Sequence, residues 1–96
     1  MRLNMMTERK PIIAGNWKLN TDLASAVKLA EDIRSWADKV DSSKVDVVVV
    51  PPYPFIRDVD ASVGDKVDVG AQTVFYEDKG AFTAAVSVGM LRSVGK

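Results

Sequence analysis

The chain has 96 residues, enough for one small domain. Its 13 basic and 13 acidic residues balance, so the composition shows no basic footprint for nucleic acid or for an anionic membrane surface. It contains neither cysteine nor histidine, which excludes disulfides and thiolate metal sites and removes the commonest acid–base side chain.

The start of the chain is predicted to be a flexible tail, residues 1–9, ahead of a domain at residues 10–96. The opening stretch MRLNMMTERK lacks the apolar core of a secretory signal. No apolar run in the chain approaches the length of a membrane span. The predicted location is therefore the cytoplasm.

Three apolar segments have the character of β-strands. They are PIIAGNW (11–17), VDVVVVPP (45–52) and KVDVGAQ (66–72). The nearly unbroken valine run of the second segment suits a parallel strand buried on both faces, and the two prolines end it.

A helical stripe of apolar residues follows the first predicted strand, from residue 23 to residue 40. Asn20 or Thr21 is expected to cap this helix. Lys28 lies three and four residues before acidic side chains, the spacing of helical ion pairs.

The segment PFIRDVDASV (54–63) predicts a short second helix, and the residues after Ser87 predict a third. The resulting order is βαβαβα, with a long loop before the last helix. Such alternation predicts right-handed crossovers and an α/β fold with a parallel sheet. Three short parallel strands leave two open edges, which indicates a part of a larger parallel structure.

Polar side chains follow the first and third predicted strands. Asn16 and Lys18 end the first, and Gln72 ends the third. Ligands meet the carboxyl ends of strands in α/β sheets and barrels, where a lysine can stabilise negative charge on an oxygen and amides can fix it. Trp17 is expected to pack in the core. The alternative is a solvated loop lysine beside a turn-forming asparagine.

The segment FYEDKGAFTAAVSVGML (75–91) is long for a connection inside an α/β unit, and it is rich in apolar residues. Exposed apolar segments of this kind often bind a partner. The alternative is a flexible surface loop.

Three stretches resemble, in order and spacing, segments of the triosephosphate isomerase family. They are GNWKLN (15–20), VVVVPPYPFI (47–56) and VGAQTVFYEDKGAFTAAVS (69–87). The resemblance runs from about Lys10 to the last residue. It implies that residues 10–96 are the N-terminal part of a TIM (β/α)8 barrel, a fragment with strands one to three.

The resemblance also implies an activity: interconversion of dihydroxyacetone phosphate and glyceraldehyde 3-phosphate in glycolysis and gluconeogenesis, through an enediolate and without a metal or cofactor. Lys18 would be catalytic and, with Asn16, would bind the phosphorylated triose. Gln72 would support the site. Thr83 would be the tip of a loop that enters the partner's active site in a homodimer.

Two features depart from the family pattern. After GAFT the family usually has glycine and glutamate, where this chain has Ala84 and Ala85, so a charged contact at the dimer interface is expected to be missing. The family's histidine electrophile is absent, and no glutamate stands where the family has its base. The 96-residue chain by itself is therefore expected to be inactive.

Two other hypotheses remain open. The chain could be a non-catalytic, barrel-derived module that assembles with a complementary chain, as the apolar residues between Phe75 and Met90 suggest. It could also be a small open-sheet binder of phosphate or nucleotide, although no glycine-rich loop follows either of the first two strands.

Overall fold

The computed structural model describes residues 9–95. Its strands are β1 (Ile12–Asn16), β2 (Asp46–Val50) and β3 (Val67–Val69), and its α-helices are α1 (Leu23–Ala37), α2 (Ile56–Ser62) and α3 (Val88–Val94). A 3-10 turn, Tyr53–Phe55, leads into α2. The predicted tail at residues 1–9 lies outside the described residues except for Arg9.

The three strands form one parallel sheet in the order β1-β2-β3. Each strand is followed by a helix, which confirms the predicted α/β fold and agrees with the first βα units of a (β/α)8 barrel. In the register, Ile13 lies opposite Val47, and Val47 lies opposite Val67.

One face of this sheet is covered by helices and the other is open. Val47 and Val49 of β2 are buried, whereas Val48 between them is only partly covered. The prediction that the second strand is buried on both faces is therefore wrong for the described chain, because α1 and α2 cover one face and no element within residues 9–95 covers the other. Ile12, at the start of β1, is 65% exposed.

The core lies between the covered face and helices α1 and α2. Ala26 and Ala30 of α1 are fully buried, and their small side chains let the helix approach the sheet closely. Val59 and Val63, from α2 and its C-terminus, fill the space between the two helices and the strands. Close packing of these side chains fixes the strands relative to one another.

Helix α1 begins at Leu23, as the apolar stripe predicted, but neither predicted residue caps it. Asp22 is the N-cap: its carboxylate accepts a 2.9 Å hydrogen bond from the Ser25 N–H, and the Ser25 hydroxyl accepts one of 2.9 Å from the Asp22 N–H. Asn20 is not the cap because its side chain is engaged elsewhere, and Thr21 has a φ of 81°. The ion pair between Lys28 and Asp32, 2.5 Å long, confirms the predicted spacing.

Two elements are shorter than the patterns indicated. Helix α1 ends at Ala37 instead of continuing to Val40, and β3 covers only Val67–Val69. The third helix begins after Ser87 as predicted, with the serine hydroxyl accepting a hydrogen bond from a first-turn N–H. Within residues 9–95, no helix combines the length and the apolar character needed to cross a membrane.

Candidate active site at the carboxyl ends of the strands

The carboxyl ends of all three strands meet at one edge of the sheet because the strands are parallel. Asn16 is the last residue of β1, and Gln72 lies three residues after β3. Between them, β2 ends at Val50 and is followed by two prolines. The structure therefore places the predicted polar residues at a common edge.

Lys18 has an unusual backbone conformation. Its φ is 57°, in the left-handed region that residues other than glycine adopt rarely. The Asn16 side-chain oxygen accepts a 2.8 Å hydrogen bond from the Lys18 N–H, and the Gln72 side-chain amide donates one of 2.7 Å to the Lys18 carbonyl. Two amides thus hold the lysine backbone in a conformation of the kind that clusters at functional sites.

The segment before Lys18 is anchored in the core. Trp17 is buried, as predicted, and its N–H donates a 3.0 Å hydrogen bond to the Val50 carbonyl, which continues the pairing of β1 with β2. The Asn20 side chain donates a 2.7 Å hydrogen bond to the Trp17 carbonyl. The turn that presents Lys18 is therefore fixed at both of its ends.

The ammonium group of Lys18 is accessible to an anion. Lys18 is exposed. Among the residues that the structure describes, no carboxylate lies within ion-pair distance of its ammonium group. A positive charge that is held at a strand end and lacks an internal counterion can bind a phosphorylated or enolate-like ligand.

Two structural features of this region were not indicated by the sequence patterns. Thr21 has a φ of 81°, rare for a β-branched residue, and its buried hydroxyl has no hydrogen-bond partner among the described residues. The Tyr53 hydroxyl donates a hydrogen bond to the Thr73 carbonyl, one residue beyond Gln72. No local signal predicts either feature, although the prolines around Tyr53 indicate a rigid turn.

Thr83 lies apart from the other predicted site residues. It is exposed in the segment between β3 and α3, and within residues 9–95 it shares no hydrogen bond with Asn16, Lys18 or Gln72. The segment is closed at its base by a 2.7 Å hydrogen bond from the Phe75 N–H to the Val86 carbonyl. The structure therefore brings together three of the four predicted residues.

Aromatic rings cluster in this same segment. The ring centroid of Phe75 lies 4.6 Å from that of Tyr76 and 4.7 Å from that of Phe82. Tyr76 is nevertheless 85% exposed and Phe82 is 50% exposed. Ala84 has a φ of 57°, at the position where the family pattern has glycine. This segment, 75–86, is thus largely exposed and rich in apolar side chains, and it is called the projecting segment below.

No group of three or more metal-ligating side chains converges within residues 9–95. What converges at the strand ends is a cation with two supporting amides, on a parallel α/β sheet of the barrel type. Such an arrangement has the chemistry of a candidate anion site at the carboxyl edge of a parallel α/β sheet.

Comparison with known proteins identifies the family. The family model described as triosephosphate isomerase matches residues 11–96, and the chain belongs to the triosephosphate isomerase family.

Curated relatives named triosephosphate isomerase agree with this assignment. The protein of Thermoanaerobacter pseudethanolicus is 41% identical over 88 residues, which cover 91% of this chain and 34% of the relative. That of Cytophaga hutchinsonii is 40% identical over 87 residues, covering 91% and 35%. That of Moorella thermoacetica is 44% identical over 88 residues, covering 91% and 34%. The chain thus spans about a third of the length of these relatives.

Proposed function

We propose that the protein containing this chain is a triosephosphate isomerase that interconverts dihydroxyacetone phosphate and glyceraldehyde 3-phosphate in glycolysis and gluconeogenesis. One observation carries the proposal: Asn16 and Gln72 hold Lys18 at the carboxyl edge of the sheet, in a chain of this family. The proposed location is the cytoplasm, where glycolytic substrates are found.

Lys18 has the chemistry that this reaction needs from a binding residue. Its ammonium group attracts the anionic triose phosphate and stabilises the negative charge that develops on the carbonyl oxygen as the enediolate forms. Asn16 and Gln72 act on the lysine backbone, and this fixes the direction in which the side chain leaves the sheet. A preorganised charge of this kind needs no rearrangement when the transition state forms.

Proton transfer needs groups that this site does not contain. The chain has no histidine, and the two glutamates in its described part, Glu31 and Glu77, lie on α1 and in the projecting segment. The contribution of residues 9–95 is therefore to bind the substrate and stabilise its charge. We accordingly expect the 96-residue chain alone to show no turnover.

The test is an assay of the native protein that contains this chain, purified from a host whose own isomerase gene is deleted. The proposal expects dihydroxyacetone phosphate to be converted to glyceraldehyde 3-phosphate, and the reverse reaction to proceed in the same preparation. The 96-residue chain, purified in the same way, should be inactive. Absence of turnover by the native protein would contradict the proposed function, and turnover by the 96-residue chain would contradict the division of roles.

The proposal includes a homodimer. The exposed rings of Tyr76 and Phe82 and the position of Thr83 in the same projection support a contact with a second subunit. Replacing Phe82 by serine should shift the native protein toward the monomer in analytical ultracentrifugation. Phe55→Ser is not a suitable control because Phe55 packs against the core. Trp36→Ser on α1 is the control because it lies outside the segment 75–91 and is 45% exposed, close to the 50% of Phe82.

A second candidate is a non-catalytic module that functions only with a complementary chain. The exposed face of the sheet, with Ile12 65% exposed, and the apolar projection favour it. The intact mass of the native protein, captured with an antibody against residues 75–82, separates the two candidates. A mass of about 27 kDa, that of a barrel of roughly 250 residues, supports the isomerase. A mass of 10.5 kDa with a stably bound partner supports the module.

A further inference from the structure

Tyr53 begins a rigid turn three residues after the end of β2. It follows Pro51 and Pro52 and precedes Pro54, and each proline ring fixes its own φ. Pro51 is fully buried, and the 3-10 turn is closed by a 3.1 Å hydrogen bond from the Phe55 N–H to the Pro52 carbonyl. The backbone of Tyr53 therefore has little freedom to move relative to the sheet.

The side chain of Tyr53 reaches the segment that follows β3. Its hydroxyl donates a hydrogen bond to the Thr73 carbonyl. Its ring lines a cavity of about 160 Å³ together with Val74, Phe75 and Ala85. Tyr53 thus contacts the base of the projecting segment through its hydroxyl group, and it lines the cavity beside that base.

The Thr73 carbonyl belongs to the residue that follows Gln72. The side-chain nitrogen of Gln72 lies 2.7 Å from the Lys18 carbonyl and 3.3 Å from the Val50 carbonyl. Strand β3 ends at Val69, and the Gly70 N–H makes one further bond of 2.8 Å to the Val49 carbonyl. Beyond Gly70 the backbone leaves the sheet, so the position of Gln72 depends on contacts made outside the strand ladder.

We propose that Tyr53 is a positioning residue for Lys18. The Tyr53 hydroxyl fixes the Thr73 carbonyl through a hydrogen bond, and this limits the movement of the adjoining Gln72 backbone. The side-chain amide of Gln72 then holds Lys18 in its left-handed conformation. The effect of Tyr53 on turnover rests on the proposed isomerase function, whereas its effect on the geometry of Gln72 does not.

The structural test compares Tyr53→Phe with Tyr76→Phe in the native protein. These are the two tyrosines of the chain, each variant removes one hydroxyl, and Tyr76 is 85% exposed. In ¹⁵N NMR spectra, Tyr53→Phe should shift the side-chain amide resonances of Gln72 and speed their hydrogen exchange by about 2- to 10-fold, the loss expected for one hydrogen bond. Tyr76→Phe should leave them unchanged. Unchanged Gln72 resonances in Tyr53→Phe would overturn the proposal.

The kinetic test is a double-mutant cycle with Gln72→Met, which removes the amide and keeps a side chain of similar length. Tyr53→Phe should lower kcat/KM by about 2- to 10-fold. In the Gln72→Met background the same change should have no further effect, because the path to Lys18 is already broken. Equal effects of Tyr53→Phe in both backgrounds would show a merely structural role and overturn the proposal. If the wild-type protein has no turnover, the isomerase proposal fails and the NMR comparison still decides the role of Tyr53.

Discussion

The side-chain amide of Gln72 donates a 2.7 Å hydrogen bond to the main-chain carbonyl of Lys18, which joins the segments after β3 and β1 although β2 separates these strands. The same nitrogen lies 3.3 Å from the Val50 carbonyl at the end of β2. One amide therefore connects the carboxyl ends of all three strands. Gln72 thus binds the Lys18 carbonyl, and the Asn16 side-chain oxygen accepts a hydrogen bond from the Lys18 N–H.

Gln72→Glu is expected to impair the site more than Gln72→Met. A carboxylate can only accept hydrogen bonds, and both oxygens that Gln72 faces, those of Lys18 and Val50, are acceptors as well. We expect kcat/KM of the native protein to fall by about 10-fold or more for glutamate and by about 2- to 10-fold for methionine. Steady-state isomerase kinetics measure both values. Wild-type kinetics in Gln72→Glu would show that this amide does not hold Lys18.

Ala84→Gly is expected to stabilise the protein. Ala84 has a φ of 57°, and this left-handed conformation costs an alanine about 1–2 kcal/mol of folding free energy. A glycine there avoids this strain but costs about 0.5–1 kcal/mol because the unfolded chain is then more flexible. The difference between these two ranges is a net gain in unfolding free energy of about 0–1.5 kcal/mol. Ala81→Gly, in the same segment but without a positive φ, is the matched control and should destabilise slightly. Chemical denaturation measures both, and a loss of stability in Ala84→Gly would contradict the strain.

Val59→Ala tests the core beneath the site. Val59 is fully buried between α1, α2 and the sheet, and truncation removes two methyl groups and leaves a cavity. The unfolding free energy should fall by about 2–4 kcal/mol. Val74→Ala, at a position 43% exposed, should cost less than about 1 kcal/mol. Similar losses for both variants in denaturant titrations would refute the assigned position of the core.

The start of α1 should weaken in acid. Hydrogen bonds from the backbone N–H and the hydroxyl of Ser25 lower the pKa of the Asp22 carboxyl below its usual value. A carboxyl group with a depressed folded-state pKa stabilises the fold above the unfolded-state value of about 4, and this contribution is lost as the pH falls through the lower, folded-state pKa. Hydrogen exchange of the Ser25 and Ala26 amides should therefore accelerate in that window.

Asp22→Asn is the control for this prediction, since asparagine caps a helix about as well as aspartate and does not titrate there. Its exchange rates, corrected for the intrinsic pH dependence, should stay level across the same window. Identical pH profiles for the wild type and for Asp22→Asn would contradict the role of the Asp22 carboxylate.

Much of the fold follows from local patterns. The valine run marks β2, the apolar stripe marks α1, and the polar ends of the first and third strands mark the candidate site. These features were predictable because periodicity and strand-end chemistry are encoded in neighbouring residues. The parallel order then brings Asn16, Lys18 and Gln72 to one edge without further information.

The remaining features depend on contacts between distant residues or on competition between neighbours. The hydrogen bonds from Gln72 to Lys18 and from Tyr53 to Thr73 span 54 and 20 positions, and no local pattern encodes them. The sequence predicts Asn20 or Thr21 as the cap of α1, but the Asn20 amide donates to the Trp17 carbonyl and Asp22 is the N-cap. Such competition is settled only by the three-dimensional arrangement.

The central claim is that Lys18 is the cation that binds the phosphorylated triose and stabilises its enediolate. The most direct measurement compares kcat/KM of the native protein for Lys18→Ala and for Lys44→Ala, a matched change at an exposed turn lysine two residues before the amino end of β2 and away from the carboxyl ends of the strands. We predict a loss of about 100-fold or more for Lys18→Ala, the effect of removing a preorganised charge from a transition state, and near wild-type activity for Lys44→Ala. Equal activity of the two variants would contradict the account.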